Sequence, residues 1–230
     1  MVIMEKVVIS LGGSIVNPGE IDVSYLLNFL SLIKSFSNRY KLVIVLGGGF
    51  TARQYIKALK AAKIKDKTAN LFGINITRLN AKLLMTMYSK SIDHKLPKSI
   101  KEVENALKKD NVVFCGALRY EEKNTSDGTA VKLALHLKSS FINMTNVDGL
   151  YTKDPRKNKD AKFISEITSK RLNEIASKMK YHPGQHFVVD QNAAELIYKN
   201  KIPAYIIGKN LMNLSKLLNG KSFVGTKITD

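Results

Sequence analysis

A second cysteine is missing from this chain of 230 residues: Cys115 stands alone, so no internal disulfide can form, which suits a reducing compartment. Cys115 itself is expected to fill an apolar strand. Long apolar runs are missing too. Stretches such as 42–46 and 187–189 fall far short of the roughly 20 residues a membrane helix needs, and the N-terminus lacks a signal-peptide layout. A soluble, cytosolic protein is the expectation. Acidic residues are few, 19 against 37 basic ones, for a net charge of +18. Such an excess attracts phosphate and invites a nucleic-acid reading. Arginine is scarce as well, however. Six arginines leave 31 lysines scattered along most of the chain, the pattern of a solvated surface rather than of a basic stripe. Nucleic acid is therefore not the expected main partner, although a positive field would help gather anionic nucleotides.

Several chemistries lack their signatures. No G-x-x-x-x-G-K-[ST] loop exists, because Ser215 occupies the first glycine position ahead of Gly220-Lys221-Ser222. No G-x-S-x-G supports acyl transfer. His182 and His186 are four apart, but Pro183 and Gly184 between them forbid the helix that would align them on a metal.

What is present is an alternation of strands and helices. Apolar, β-branched residues predict a strand over 6–11 that stops at Gly12-Gly13-Ser14, then a helix over 21–36 with Leu26, Leu27, Leu30 and Ile33 on its apolar face. A strand over 41–46 runs into Gly47-Gly48-Gly49, and helices follow over 51–62 and 76–89, the latter with Leu79, Leu83, Leu84 and Met87 on one face. Further on come a helix over 99–109, a strand over 111–115, a polar loop over 116–124 and a helix over 128–137. Strands over 140–145, 187–189 and 203–207 and helices over 172–179 and 192–200 complete the pattern, with turn character from Asp154-Pro155 to Lys162. Alternation of this kind implies an α/β fold, a largely parallel sheet covered on both faces. With 44% hydrophobic and 24% charged residues the chain resembles an ordinary globular protein, and its length fits one domain or two closely fused lobes.

In such sheets ligands collect at the carboxyl ends of the strands. The glycine turns fall there, and so does Thr125-Ser126-Asp127. Glycine lets a backbone approach phosphate closely, and free amides at a helix start favour anions. Three successive glycines are hard to dismiss as a plain turn, since each costs entropy on folding. Arg53 lies one turn beyond Gly49, within reach of the same phosphate site. Asp127 is a candidate cap or catalytic carboxylate, and Asp148 fits turn chemistry or a site beside the phosphate loops.

The order and spacing of these motifs resemble the amino-acid kinases, and more closely the archaeal-type uridylate kinases. The matching residues are Gly12-Gly13-Ser14, Gly47-Gly48-Gly49 with Arg53, Gly73 with Thr77-Arg78 and Asn80-Ala81, Thr125 with Asp127, Thr145-Asn146 with Asp148-Gly149 and Tyr151, Asp154-Pro155, Asp190 with Ala193-Ala194, and the closing Gly225-Thr226. The resemblance covers almost the whole chain. It implies a three-layer αβα sandwich around a mostly parallel central sheet, one domain over 1–230 with an acceptor lobe over roughly 1–139 and an ATP lobe over roughly 140–230. It implies phosphoryl transfer from ATP, carried with Mg²⁺, to UMP. Ser10, Leu11, Gly12, Gly13, Ser14, Gly49, Arg53, Thr145, Asn146, Tyr151 and Asp154 would contact ATP. Gly48, Asn70, Leu118, Arg119, Asn124 and Thr125 would hold UMP, and Arg53 and Asp127 would be catalytic. A homohexamer built as a trimer of dimers is also implied.

Three departures stand out. Ser10 and Asn146 occupy positions where many relatives carry lysine, which leaves Lys6, Lys132 and Lys153 as candidates for the missing cation. Asn70 replaces an aspartate that contacts UMP, exchanging charged acceptors for one acceptor and one donor group. Arg119-Tyr120-Glu121-Glu122-Lys123 stands where relatives have a shorter Pro-Gly turn. Two alternatives remain open at this point: a same-fold kinase for another small phosphate or carboxylate, and a nucleotide-binding or storage protein without turnover. The isopentenyl-phosphate branch expects a histidine soon after the glycine triplet, and residues 50–58 contain none.

Overall fold

The computed structural model describes residues 4–120, 125–178 and 188–230. The chain runs β1 (Glu5–Leu11), α1 (Gly13–Val16), α2 (Val23–Phe36), β2 (Tyr40–Leu46), α3 (Gly49–Ala61), α4 (Asp66–Ser89), α5 (Ile100–Lys109), β3 (Val112–Cys115), α6 (Ser126–Leu137) and β4 (Ser140–Met144). It continues through β5 (Leu150–Tyr151), β6 (Phe163–Ile164), β7 (Glu166–Thr168), α7 (Ser169–Lys178), α8 (Gln191–Asn200), β8 (Ala204–Ile207), α9 (Leu211–Leu218) and β9 (Gly225–Thr229). Seven strands form one sheet in the order β3-β2-β1-β4-β8-β9-β7, while β5 and β6 pair as a small separate hairpin. From β3 to β8 all neighbours are parallel, and only the β8–β9 pairing in this sheet is antiparallel.

Two-residue periodicity divides the strands between two cores. Val7, Ile9 and Leu11 of β1 join Leu42, Ile44 and Leu46 of β2 under α2, α4 and α9. Val8, Val43, Val45, Val113 and Phe141 face the opposite way, into the core formed with α5, α6, α7 and α8. Because both faces are covered, β2 reads as an unbroken apolar run, and the architecture is the expected three-layer sandwich. The helices start where short side chains satisfy the first amides. Asp22 accepts from the Tyr25 amide at 3.0 Å, Ser99 from Glu102 at 3.2 Å, and Asp190 from Ala193 at 2.8 Å.

Several expectations need correction. Leu27 is exposed, and the buried face of α2 consists of Leu26, Phe29, Leu30, Ile33 and Phe36. Leu79 is exposed too, because α4 buries Ile76, Thr77, Asn80, Ala81 and Leu84 instead. That helix begins ten residues earlier than expected, and Gly73 lies inside it. The absent Cβ makes room for Ile56 of α3, whose Cδ1 would stand 3.1 Å from one. Close helix packing thus outweighs the low helix propensity of glycine. The strand expected over 187–189 is not formed at Val188 and Val189, which lie in a bend; Phe187 falls outside the described residues. Its apolar character comes from Val189 packing into the α6–α8 core rather than from strand pairing. The elements β5, β6, β7, α9 and β9 were not anticipated, being short or flanked by polar residues.

Candidate active site

Strand order reverses between β1 and β4, since the chain builds outward from β1 to β3 on one side and then crosses to β4 on the other. A crevice at the carboxyl ends is expected at such a switch point. A cavity of about 730 Å³ opens there. Its floor is backbone. The Gly12 amide donates to the Met144 carbonyl at 3.0 Å, and the Gly47 amide to the Leu11 carbonyl at 3.0 Å, so the turns after β1, β2 and β4 are tied side by side. Gly49 takes a left-handed φ of +67°, a conformation glycine adopts without strain.

Two polar residues interrupt the apolar strands at this point. Ser10 and Asn143 are register partners across β1 and β4, and both are buried. An unpaired polar group there would cost about 1–3 kcal/mol, and each finds partners. The Ser10 hydroxyl donates to Asp127 Oδ1 at 2.6 Å. The Asn143 amide donates to the Val188 carbonyl and also bonds Asp127. Asp127 sits in the first turn of α6 with one side open to the cavity. Burial pushes its carboxyl up to about 7; the Ser10 hydrogen bond pulls down, Asp190 pushes up, and Asn143 pulls down. Asp190 ties the starts of two helices together, accepting from Thr125 Oγ1 and from the Gly128 amide at 3.2 Å while capping α8.

Positive charge surrounds the rest of the cavity. Arg53 projects from the first turn of α3, and no side chain caps that helix. Lys153, Arg156, Arg171 and Lys178 line the side formed by the β4–β5 connection and α7. Lys153 pairs with Asp160 at 2.7 Å and Arg171 with Glu174 at 2.9 Å. Arg156 grips Asp154 with two hydrogen bonds of 3.0 and 2.9 Å, and holds that carboxyl down at about 2.

Gly12, Gly13, Ser14, Gly48, Gly49, Arg53, Asn70, Thr125, Asp127, Thr145, Asn146, Tyr151 and Asp154 are brought together along this cavity. Ser10 is buried behind Asp127, and the Leu11 side chain lies in the core while only its carbonyl serves the floor. Leu118 and Arg119 line a different, smaller cavity. Asn124, His182 and His186 lie outside the described residues. Of the three candidate lysines, only Lys153 reaches the cavity. Lys132 lines the smaller cavity, and Lys6 sits near the opposite end of β1, roughly 16 Å from Leu11 at the usual rise per residue. Asp148 does not line the cavity; its Oδ1 crowds Gly208 instead, at 2.5 Å from where a Cβ would be. Tyr120, named in the sequence only as part of the altered acceptor loop, lines the cavity, and so do Asn143, Arg156, Arg171 and Glu174, which were not singled out. A signal existed for one of them: Asn143 is a lone amide inside Ser-Phe-Ile-Asn-Met. Arg171 and Glu174 belong to no motif.

The chain matches the amino acid kinase family over residues 5–208. It belongs to that family. Among its relatives, the uridylate kinase of Archaeoglobus fulgidus is 35% identical over 224 residues, covering 97% of this chain and 99% of the relative. The uridylate kinase of Methanobrevibacter smithii is 31% identical over 225 residues, covering 97% and 98%. In three dimensions the crystal structure of the Archaeoglobus fulgidus uridylate kinase matches 97% of this chain and all of its own, with a TM-score of 0.84 at 34% identity. The UMP kinase of Ureaplasma parvum shares the fold of this chain, with a TM-score of 0.81 at 22% identity and full coverage of both chains.

Proposed function

We propose that this protein transfers the γ-phosphoryl group of ATP to UMP, yielding ADP and UDP. The observation that carries the reading is the cleft at the β1–β4 switch point, where two glycine turns, Arg53 and Asp127, the last held from behind by Ser10, face one space. Full-length similarity to uridylate kinases supports the choice of acceptor.

An oxygen of the UMP phosphate attacks the γ-phosphorus, a new P–O bond forms, the bond to the β-phosphate oxygen breaks, and ADP leaves with that electron pair. The attacking oxygen is already ionised, so no strong base is needed. Catalysis then rests on alignment and on neutralising charge. Gly12, Gly13, Ser14 and Gly49 offer backbone to the ATP phosphates, and Thr145, Asn146, Tyr151 and Asp154 line the part of the cleft assigned to the nucleoside. Arg53 supplies fixed positive charge to the transferring group. Gly48, Asn70 and Thr125 face the acceptor, with the Tyr120 ring beside them. Asp127, held by Ser10, presents a carboxylate to the same cleft as the phosphate turns.

ATP is carried with Mg²⁺, which neutralises the donor phosphates. Among the described residues no cluster of three or more His, Cys, Asp or Glu could hold a metal ion. The chain's residues fit an ion that keeps waters, binds the substrate phosphates and takes a single carboxylate such as Asp127. No helix among the described residues is long and apolar enough to cross a membrane, in line with a cytoplasmic enzyme. A homohexamer assembled from dimers is the assembly the family resemblance implies, and Tyr55, Leu71, Phe72 and Leu79 are offered as a surface for contact between copies. These residues leave an exposed apolar face on α3 and α4, where the rings of Tyr55 and Phe72 stack at 6.1 Å. The chain is assigned one kinase domain, with the acceptor lobe over roughly 1–139 and the ATP lobe over 140–230.

The test is coupled ADP release from ATP and Mg²⁺ with UMP, with CMP and with no acceptor. UMP-dependent turnover, lost on chelation of the metal, is expected. A CMP rate more than tenfold above that for UMP would overturn the acceptor. Silence with every acceptor despite ATP binding would mean a binding protein instead.

A further inference from the structure

Asn17 lies directly behind the two glycine turns, where the chain leaves α1. Its backbone is held on both sides. The Asn17 amide donates to the Gly13 carbonyl at 2.9 Å, and the Asn17 carbonyl accepts from the Phe50 amide of α3 at 2.8 Å. Pro18 follows and confines Asn17 to an extended backbone, in keeping with its φ of −144°. The side chain then reaches the same helix, where Nδ2 donates to Thr51 Oγ1 at 2.9 Å. Asn17 is only 9% exposed, and its Oδ1 finds no hydrogen-bond partner among the described residues. A buried acceptor left unpaired is destabilising, so what this side chain contributes lies elsewhere than in stability.

We propose that Asn17 is a positioning residue for the donor phosphates, which grips the first turn of α3 through Thr51 and so fixes Arg53 against the Gly12-Gly13 turn. The inference rests on the reading of the cleft as an ATP site. Helix α3 has no side-chain cap of its own. The Phe50 amide and the Thr51 hydroxyl in its first turn are met by Asn17 instead. Thr51 stands two residues before Arg53, which lines the cleft, whereas neither Asn17 nor Thr51 does. There is little slack at this junction: a Cβ on Gly49 would stand 2.5 Å from the Gly13 carbonyl oxygen and 2.8 Å from that of Asn17. A small rotation of α3 about this contact is carried outward to the guanidinium at the end of the Arg53 side chain. Displacing such a group by about 1 Å can lower a rate by roughly a hundredfold.

The experiment compares full-length wild type, Asn17→Ala and Thr51→Val by calorimetric titration with a non-hydrolysable ATP analogue and Mg²⁺, alongside thermal melting. Each variant should bind the analogue about three- to tenfold more weakly, the worth of one neutral hydrogen bond. Thr51→Ser, which keeps the hydroxyl, should bind like wild type. The Tm of Asn17→Ala should equal or exceed that of wild type, because the unpaired Oδ1 leaves with the side chain. In an Arg53→Ala background, Asn17→Ala should lower affinity clearly less than it does alone. Wild-type affinity in both Asn17→Ala and Thr51→Val would overturn the proposal. So would losses that simply add to that of Arg53→Ala, the mark of a general structural role. The readout is donor binding without an acceptor. A wild type that binds the analogue but does not phosphorylate UMP would therefore remove the assigned acceptor and leave this inference standing, whereas one that does not bind the analogue would remove both.

Discussion

The Ser10 hydroxyl stands 2.6 Å from Asp127 Oδ1, joining residues 117 positions apart at the base of the cleft. Its partner is an unusual carboxylate, because burial raises Asp127 from 3.8 to about 7. A carboxyl raised in the folded state binds its proton more tightly there than in the unfolded chain. Stability from this group is therefore fully present below about pH 4 and is lost as pH climbs towards 7. Asp127→Asn removes the ionisation while keeping an oxygen for Ser10. The difference in Tm between this variant and wild type should grow in the variant's favour between pH 5 and pH 8, while its phosphoryl transfer falls at least tenfold. A Tm difference that stays flat over this range would show that Asp127 titrates normally.

Arg53 and Lys178 are the cleft cations that make no ion pair among the described residues, and of the two only Arg53 rises from the helix that follows the glycine triplet. Charged hydrogen bonds contribute about 1.5–3 kcal/mol, so losing one to the transferring group corresponds to a factor of at least ten. Arg53→Ala should lower kcat by that much. Its fold should persist, since arginine and alanine are both good helix formers. Wild-type rates in a folded variant would remove Arg53 from the chemistry.

The glycine turns, Arg53 and Asp127 were legible in the sequence because each is a local departure from an apolar pattern, and their place at strand ends follows from α/β topology. Other parts of the cleft were not legible. Arg171 and Glu174 reach it only because α7 packs against α8 and the far strands β7 and β9, a tertiary fact with no local mark. Arg119 looked like an acceptor contact by its place in the loop, yet it lines the smaller cavity together with Thr129 and Lys132 of α6. The early start of α4 was hidden by Gly73, whose role is to admit Ile56. Amphipathic spacing also misassigned Leu27 and Leu79, since a helix face can be rotated by one position and still keep three- and four-residue intervals.

Tyr120 lines the cleft near Asn70, and Lys67 lies 6.0 Å from the centre of its ring. An aromatic wall beside a pyrimidine acceptor contributes about 0.5–1.5 kcal/mol beyond its buried area. Tyr120→Ala should raise the KM for UMP roughly three- to tenfold by that reckoning, leave the KM for ATP within about twofold, and be rescued by Tyr120→Phe. Equal changes in both constants would mean a general disturbance of the cleft rather than a contact with the acceptor.

Gly13 and Gly19 provide a comparison of two glycines on the same connection. A Cβ on Gly13 would stand 2.0 Å from the Gly49 amide nitrogen and 2.8 Å from that of Gly48, whereas one on Gly19 would meet nothing within 4 Å. The first clash is backbone against backbone, so no side chain can swing away to relieve it. The turns after β1 and β2 would have to separate. Overpacking typically costs about 1–3 kcal/mol, which for a chain of this length corresponds to a Tm loss of roughly 2–12 °C. Gly13→Ala should show that loss together with at least tenfold weaker ATP binding, while Gly19→Ala should match wild type in both. Should Gly13→Ala bind ATP normally, the touching glycine turns would not be the phosphate floor, and the donor would have to rest on the Thr145–Asp154 side of the cleft alone.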